Sequence, residues 1–212
     1  MSSPFDTLAP DYAALWTETP RGASQRARVW RSLDRLFQPG DEVLDLGCGA
    51  GDDAVHLGAR GVKMFGIDAS EKMIALAQAR GVRARRLAIE ELDRLEGPFS
   101  GAISNFGALN CVASLRPVAE QLARLVRPGG AAALCVMGRF APLETLRFLC
   151  KFDWAAATRR WRGQARWRGI EVYYHSSAQM RKAFANGFIF EGRVFIGGGD
   201  HELYIFRRRK EC

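Results

Sequence analysis

The chain has 212 residues, 48% of them apolar, which suits one folded domain and excludes wholesale disorder. Its formal net charge is +8, and no apolar run approaches the roughly 18 residues needed to cross a bilayer. Cys48, Cys111, Cys135, Cys150 and Cys212 form no CxxC pair, so reduced thiols are expected rather than a zinc site or a disulfide frame.

The opening MSSPFDTLAP lacks the basic-then-apolar pattern of a secretory signal, and a cytoplasmic location is expected. Residues 11–16 and 22–37 read as helices. In the second, Val29, Trp30, Leu33, Leu36 and Phe37 recur at helical spacing. QPGD at 38–41 stops that helix. Residues 43–46 form a short apolar strand, and 52–60 a helix ending at Gly61. A second strand spans 62–67. A helix over 70–80 has Ser70 as its N-cap and Gly81 behind it. Strands at 82–87 and 99–104 follow, then a helix at 115–126, an RPGG turn at 127–130 and an apolar strand at 131–137. Five strands alternating with helices imply a parallel sheet covered on both faces, which is why the strands need no polar alternation.

Residues 139–169 break that rhythm. They are helical in composition, rich in Arg and Trp, and contain no good strand. Eight of them are Arg or Lys and two are acidic, while 207–211 carries four basic residues and one acid. Most of the net charge therefore sits in one segment and one tail. A basic surface of this kind suits anions or nucleic acid, or is a solvated face. A strand at 170–174, a helix at 177–185 and two strands at 188–196 and 202–207 complete the chain, with GGGD at 197–200 joining the last two as an antiparallel hairpin.

The stretch VLDLGCGAGDD at 43–53 carries the chemistry. A buried strand runs into Gly47, Gly49 and Gly51, residues that turn sharply and let a ligand approach the backbone. In open parallel sheets, ligands bind at the carboxyl ends of the strands where strand order reverses. A P-loop would need Lys and Ser/Thr after the glycines, and none is present. A dinucleotide fingerprint would place its third glycine one residue later. Asp52 and Asp53 at the next helix start would repel a pyrophosphate and satisfy the helix dipole themselves. A nucleoside without phosphate, carrying a cationic sulfonium and an amino acid, suits an acid-framed glycine loop.

VLDLGCGAG resembles the first motif of the class I S-adenosylmethionine-dependent methyltransferases. VKMFGIDASEKMIALAQAR resembles their second strand and helix, and LARLVRPGGAAALCVM is similar to their helix, turn and fifth strand. The resemblance covers residues 5–137. It implies an α/β, Rossmann-like doubly wound sheet of seven mostly parallel strands, with an antiparallel C-terminal hairpin strand and a short helical lid insertion. It also implies one domain over 1–212. Residues 1–37 would close the cofactor site, 38–137 form the cofactor-binding core, 138–169 the basic helical lid, and 170–212 the last strands and tail.

The cofactor implied is S-adenosylmethionine. By the same resemblance Asp45, Gly47, Cys48, Gly49 and Gly51 face its methionine part. Asp68, 21 residues after Gly47, accepts the ribose hydroxyls. Ala69 and Met73 lie near the adenine. The family's acid after the third strand is replaced by Ala88, with Ile89 or Glu90 as substitutes through backbone N–H or carboxylate. Asn105 and Phe106 flank the transfer site. Tyr12 and Arg26 reach the carboxylate of the cofactor.

Methyl transfer from a sulfonium asks the protein mainly to align donor and acceptor and exclude water. A hydroxyl acceptor adds the need for a base, and His175 in VYYHSS is the candidate. Asn110, Arg139, Tyr173 and Tyr174 are the expected substrate contacts. In the lid Leu143, Leu146, Phe148, Leu149 and Trp154 offer an apolar wall, and Arg139, Arg147, Arg159 and Arg160 positive charge. The expected partner is a small-molecule acceptor, with no metal and no membrane. A nucleic-acid substrate gripped by the basic lid and tail is the alternative, and a cofactor-binding module without turnover is the third reading.

Overall fold

Adjacent residues of the central strands are buried on opposite faces, and this sets the layering. In the computed structural model, which describes residues 3–197 and 200–210, Val43 packs with one core while Leu44 and Leu46 pack with the other. Strands β1 (Glu42–Leu46), β2 (Lys63–Asp68), β3 (Ala84–Arg86), β4 (Phe99–Ser104) and β5 (Val126–Val136) run parallel. A two-stranded sheet pairs β6 (Gln164–Trp167) with β7 (Ile170–Tyr173). The last strand, β9 (His201–Arg208), runs antiparallel to both β5 and β8 (Phe188–Ile196). The main sheet has the order β3-β2-β1-β4-β5-β9-β8. The chain walks outward from β1 to β3, then returns to β4 on the other side of β1. The crevice for a ligand lies at that reversal.

Among the described residues eight α-helices flank the strands: α1 (Phe5–Leu8), α2 (Pro20–Leu36), α3 (Asp52–Gly58), α4 (Glu71–Ala79), α5 (Leu115–Leu125), α6 (Pro142–Leu149), α7 (Trp154–Thr158) and α8 (Ser177–Phe184). Val29, Leu33 and Leu57 seat α2 and α3 on one face, against Ile103, Ala133 and Leu203. Val118, Leu122, Met180 and Phe184 seat α5 and α8 on the other, against Leu134, Tyr204 and Phe206. The helix starts are capped as their sequences dictate. Thr19 Oγ1 accepts from the N–H of Gly22, and Ser70 Oγ from that of Met73. Ser176 and Gln179 form a reciprocal capping box.

Four expectations need correction. Residues 11–16 do not form an ordinary helix: α1 is followed by a 3₁₀ turn at Ala9–Asp11 and a π turn at Ala13–Thr17. This segment is pinned to the body instead, because Asp6 Oδ1 accepts from Ser70 Oγ at 2.6 Å and from the N–H of Lys72 at 3.3 Å. The third strand shrinks to Ala84–Arg86. RPGG lies inside β5, where the register slips between Phe99 and Gly101, rather than preceding the strand. Residues 139–169 do contain a strand, β6. It turns into β7 through Arg168 and Gly169, at φ 47° and 82°, the two positive values a tight hairpin demands. An arginine in the first of those positions hides the turn from sequence reasoning. The hairpin between β8 and β9 closes with Ile196 opposite His201, while Gly198 and Gly199 of GGGD, like Glu211 and Cys212 of the tail, lie outside the described residues.

Arg160 ties the inserted segment to the sheet. It is 5% exposed, and its Nη1 donates to the carbonyls of Gly138 at 2.9 Å and Asp200 at 3.0 Å. Its Nη2 and the guanidinium of Arg159 both pair with the carboxylate of Glu144 in α6. Burial alone would raise the Glu144 carboxyl, but the two arginines outweigh it and hold it below the usual range. Arg160→Ala should cost about 2–3 kcal/mol, because it leaves the carbonyls of Gly138 and Asp200 without their donor and Glu144 with Arg159 alone. Urea unfolding measures the loss. Limited proteolysis should show new cleavage within 139–169 before any in 42–136.

Candidate active site

The turn after β1 hangs on the tip of β2. The N–H groups of Gly47 and Cys48 both donate to the carbonyl of Ile67, at 2.8 and 2.9 Å. Gly47 has φ 71°, and a side chain there would begin 2.3 Å from the methyl carbon of Ala108, in the loop after β4. Only a glycine lets that loop close in. Gly49 has φ 53° and open space where a side chain would point, so the backbone is bare toward the crevice. Gly51 begins α3. Cys48 is buried against Gly66, where a Cβ would lie 2.7 Å from its sulfur.

Asp68 ends β2 and is aimed by two backbone donors. Its Oδ2 accepts from Gly49 at 3.0 Å and its Oδ1 from Ser70 at 2.8 Å. Burial pushes its carboxyl up, and those two N–H groups oppose the shift. Ala69 is exposed beside it, and Met73 is buried in the core. Beyond β3, the N–H of Ala88 is taken by Glu91 Oε2 at 3.1 Å. Ile89 reaches within 3.9 Å of the Gly47 Cβ position, so it borders the turn, while Glu90 stays at the surface.

Asp53 is the node of the site. It is 6% exposed; its Oδ1 accepts from Arg26 Nη1 at 2.9 Å and Trp30 Nε1 at 2.7 Å, and its Oδ2 from Asn105 Nδ2 at 2.9 Å. One carboxylate thus joins α2, α3 and the loop after β4. Asp52 lies 3.7 Å from Arg26 and pairs with Arg80 at 2.7 Å. The sequence suggested that these two acids merely satisfy a helix start; Asp53 instead bonds across three elements. The Arg26 guanidinium lies 4.7 Å over the ring of Phe106, which holds φ 51°. A bulky residue at positive φ stores about 1–3 kcal/mol of strain, and the Asp53 node over-determines it.

Three polar atoms in this cluster are buried and unpartnered: Asp45 Oδ2, Asn105 Oδ1 and Arg26 Nε. Two accept and one donates. Asp45 is 1% exposed, and burial first, then the charge of Asp53, holds its carboxyl well above the usual range against the pull of Arg26. An amino-acid group, with an ammonium to donate and a carboxylate to accept, is the complement of this set. Tyr12 joins them: burial chiefly, with the charges of Asp68, Asp52 and Asp53, pushes its hydroxyl up to about 12, while Arg26 opposes.

The expected acceptor contacts serve as ties. Asn110 is fully buried; its Oδ1 accepts from Met137 N at 2.8 Å, and its Nδ2 donates to the carbonyls of Met137 at 2.9 Å and Tyr173 at 2.6 Å. His175 is 5% exposed with Nε2 on the carbonyl of Leu109 at 3.1 Å. A nitrogen donating there takes up no further proton, so His175 braces the 108–112 loop. Burial, first of several causes, lowers its pKa. Tyr174 lies beneath Arg160, Tyr173 is half-buried, and exposed Arg139 donates to the Tyr174 carbonyl at 3.1 Å. Of the expected lid wall, Leu143, Leu146 and Trp154 face outward, and Arg159 and Arg160 turn inward to Glu144.

Sequence reasoning passed over His201. It opens β9, its Nδ1 is buried without a partner, and its ring lies 5.8 Å from that of Phe106. Burial, then the charges of Arg160 and Arg21, lowers its pKa to about 4, with Glu144 opposing. Its only local signal is a histidine after glycines. The antiparallel pairing of β9 with β5 is what brings it to the crevice. Between its ordinary pKa of about 6.5 and the folded value, the unfolded chain binds a proton that the folded chain refuses. Stability should therefore fall as pH drops through that window, and His201→Gln should flatten the slope in urea unfolding. Asp53→Ala should cost about 3 kcal/mol by taking the shared acceptor from Arg26, Trp30 and Asn105 and leaving Arg26 only the longer contact to Asp52, read by the same unfolding assay.

Residues 43–130 match the family model of a methyltransferase domain. The chain is 34% identical over 158 residues to a 2-phytyl-1,4-naphtoquinone methyltransferase of Synechococcus elongatus, covering 66% of this chain and 64% of that protein. It is 32% identical over 166 residues to the tRNA 5-carboxymethoxyuridine methyltransferase of Escherichia coli K12, covering 72% and 63%. The chain thus spans a little under two thirds of the length of these relatives. The structure of the CcbJ methyltransferase from Streptomyces caelestis shares the fold at a TM-score of 0.73 with 16% identity, over 99% of both chains. With its strand order, its glycine turn and these matches, residues 43–130 are a methyltransferase domain of the class I type, whose cofactor is S-adenosylmethionine.

Proposed function

We propose that this chain methylates a small-molecule acceptor. The observation that carries the reading is the unpartnered trio of Asp45 Oδ2, Asn105 Oδ1 and Arg26 Nε beside a bare glycine turn. S-adenosylmethionine, when bound, supplies a methyl group on a cationic sulfur that is already activated toward displacement. The chain's own residues have the remaining tasks. Asp45, Asn105 and Arg26 would hold the amino-acid end, and Asp68 with Gly49 the ribose. Ile89, Met73 and Ala69 would line the adenine side. Tyr12 and its segment would exclude water from above. Phe106, fixed by strain and by Arg26, presents a ring face that tolerates a nearby cation. His201, whose ring lies 5.8 Å from that of Phe106, borders the transfer side with an unpartnered Nδ1.

An apolar acceptor is supported by the relative named for a phytyl-bearing quinone. The tRNA-methylating relative and the eight basic residues of 139–169 favour RNA as the second reading. Labelled cofactor, incubated with the protein and a cell extract split into organic, RNA and protein fractions, separates them. Label is expected in the organic fraction; label confined to RNA replaces the first reading with the second. Tight binding by calorimetry with no labelled fraction would leave a module that binds and does not transfer. Asp68→Ala should weaken cofactor binding by about 10- to 100-fold, the worth of charged hydrogen bonds, with an unchanged circular dichroism spectrum.

A further inference from the structure

The six most exposed large apolar side chains among the described residues all lie in the inserted segment. They are Phe152 at 84%, Phe140 at 68%, Trp154 at 66%, Leu143 at 64%, Trp161 at 59% and Leu146 at 58%. Helix α6 turns two leucines to water and a carboxylate inward. Leu143, Leu146, Arg147 and Cys150 point to solvent, while Glu144 and Phe148 point inward to Arg159 and Arg160. A helix on a water-facing surface does the opposite. Phe152 has φ 57°, a costly conformation for a phenylalanine, and its ring is left in solvent. Trp167, 5.7 Å from Trp16, extends the patch onto the N-terminal segment.

The exposed charges around this patch are predominantly basic. Arg147, Lys151, Arg162 and Arg168 are exposed. Of the segment's two acids, Glu144 is engaged internally by the arginines, and Asp153 is exposed and caps the N–H of Ala156, one negative charge among the four basic ones. We infer that this face docks on an anionic lipid bilayer, its leucines and aromatics entering the headgroup boundary and its basic rim meeting lipid phosphates. Tryptophan is favoured at that boundary. A second copy of the chain is the poorer occupant, since a two-fold contact would set the basic rim against itself. Nucleic acid would use the charges and the rings, but it gives Leu143 and Leu146 nothing to bury against. No helix among the described residues is long and apolar enough to cross a membrane, so the contact is peripheral.

Cosedimentation of the full chain with phosphatidylcholine vesicles, with and without phosphatidylglycerol, tests this without cofactor or turnover. Its outcome is therefore separate from that of the methyl-transfer reading. The chain should pellet with the anionic vesicles, pellet far less with the neutral ones, and be partly released by salt. Leu143→Gln with Leu146→Gln, both solvent-facing and so harmless to the fold, should weaken binding by about tenfold or more. Arg147→Gln with Lys151→Gln should weaken it by about tenfold on anionic vesicles only. The inference is overturned if the wild type stays in the supernatant, or if the leucine variant binds as well as the wild type. A lipid-free dimer that the leucine variant dissociates would reassign the face to self-association. RNA retained on filters through Arg147 and Lys151, with no vesicle binding, would reassign it to nucleic acid.

Discussion

The carboxylate of Asp53 decides how the site is held. Buried, it needs donors, and it finds three: a guanidinium from α2, an indole from the same helix, and an amide from the loop after β4. Removing such a charge from water costs several kcal/mol, which only close hydrogen bonds offset. Elements far apart in sequence are thereby locked at one point beside the glycine turn. Arg26, so fixed, covers Phe106 and keeps one buried nitrogen unpartnered. The polar vacancies of the crevice are a by-product of satisfying Asp53.

A second buried ion cluster does the same for the inserted segment. Arg160 reaches the end of β5, the β8–β9 turn and α6 at once. Because Glu144 faces inward to meet it, the opposite side of α6 is left with leucines. An internal electrostatic demand thus fixes which surface the molecule shows outside. The same inward rotation removes Arg159 and Arg160 from any role as free positive charge.

Much of this was legible in the sequence, and the reasons are local. The apolar strand 43–46, the glycines after it, the N-cap Ser70 and the acid at 68 each depend on neighbours within a few residues, and all took the expected places. The strand in 164–167 was hidden because a hairpin turn usually announces itself with Asn-Gly or Asp-Gly, and here Arg168 stands first. His175 read as a base and Asn110 as a substrate contact because their side chains allow it. Only tertiary pairing revealed that carbonyls at 109, 137 and 173 consume them. His201 was overlooked for the converse reason: nothing near it in sequence shows that β9 lies beside β5. Long-range partners determine whether a polar side chain is free, and no spacing pattern encodes them.

The contact between Gly47 and Ala108 has a bearing on drift in this sequence. The methyl of one residue fills the volume that the other leaves empty, at 2.3 Å from where a Cβ would stand. Two loops, from β1 and from β4, therefore share a single steric slot. Neither position is free to enlarge, and shrinking residue 108 to glycine would not license growth at 47, since its backbone φ of 71° forbids it independently. Substitutions elsewhere in either loop must preserve the depth to which they interlock, so the two segments are constrained to vary as one unit.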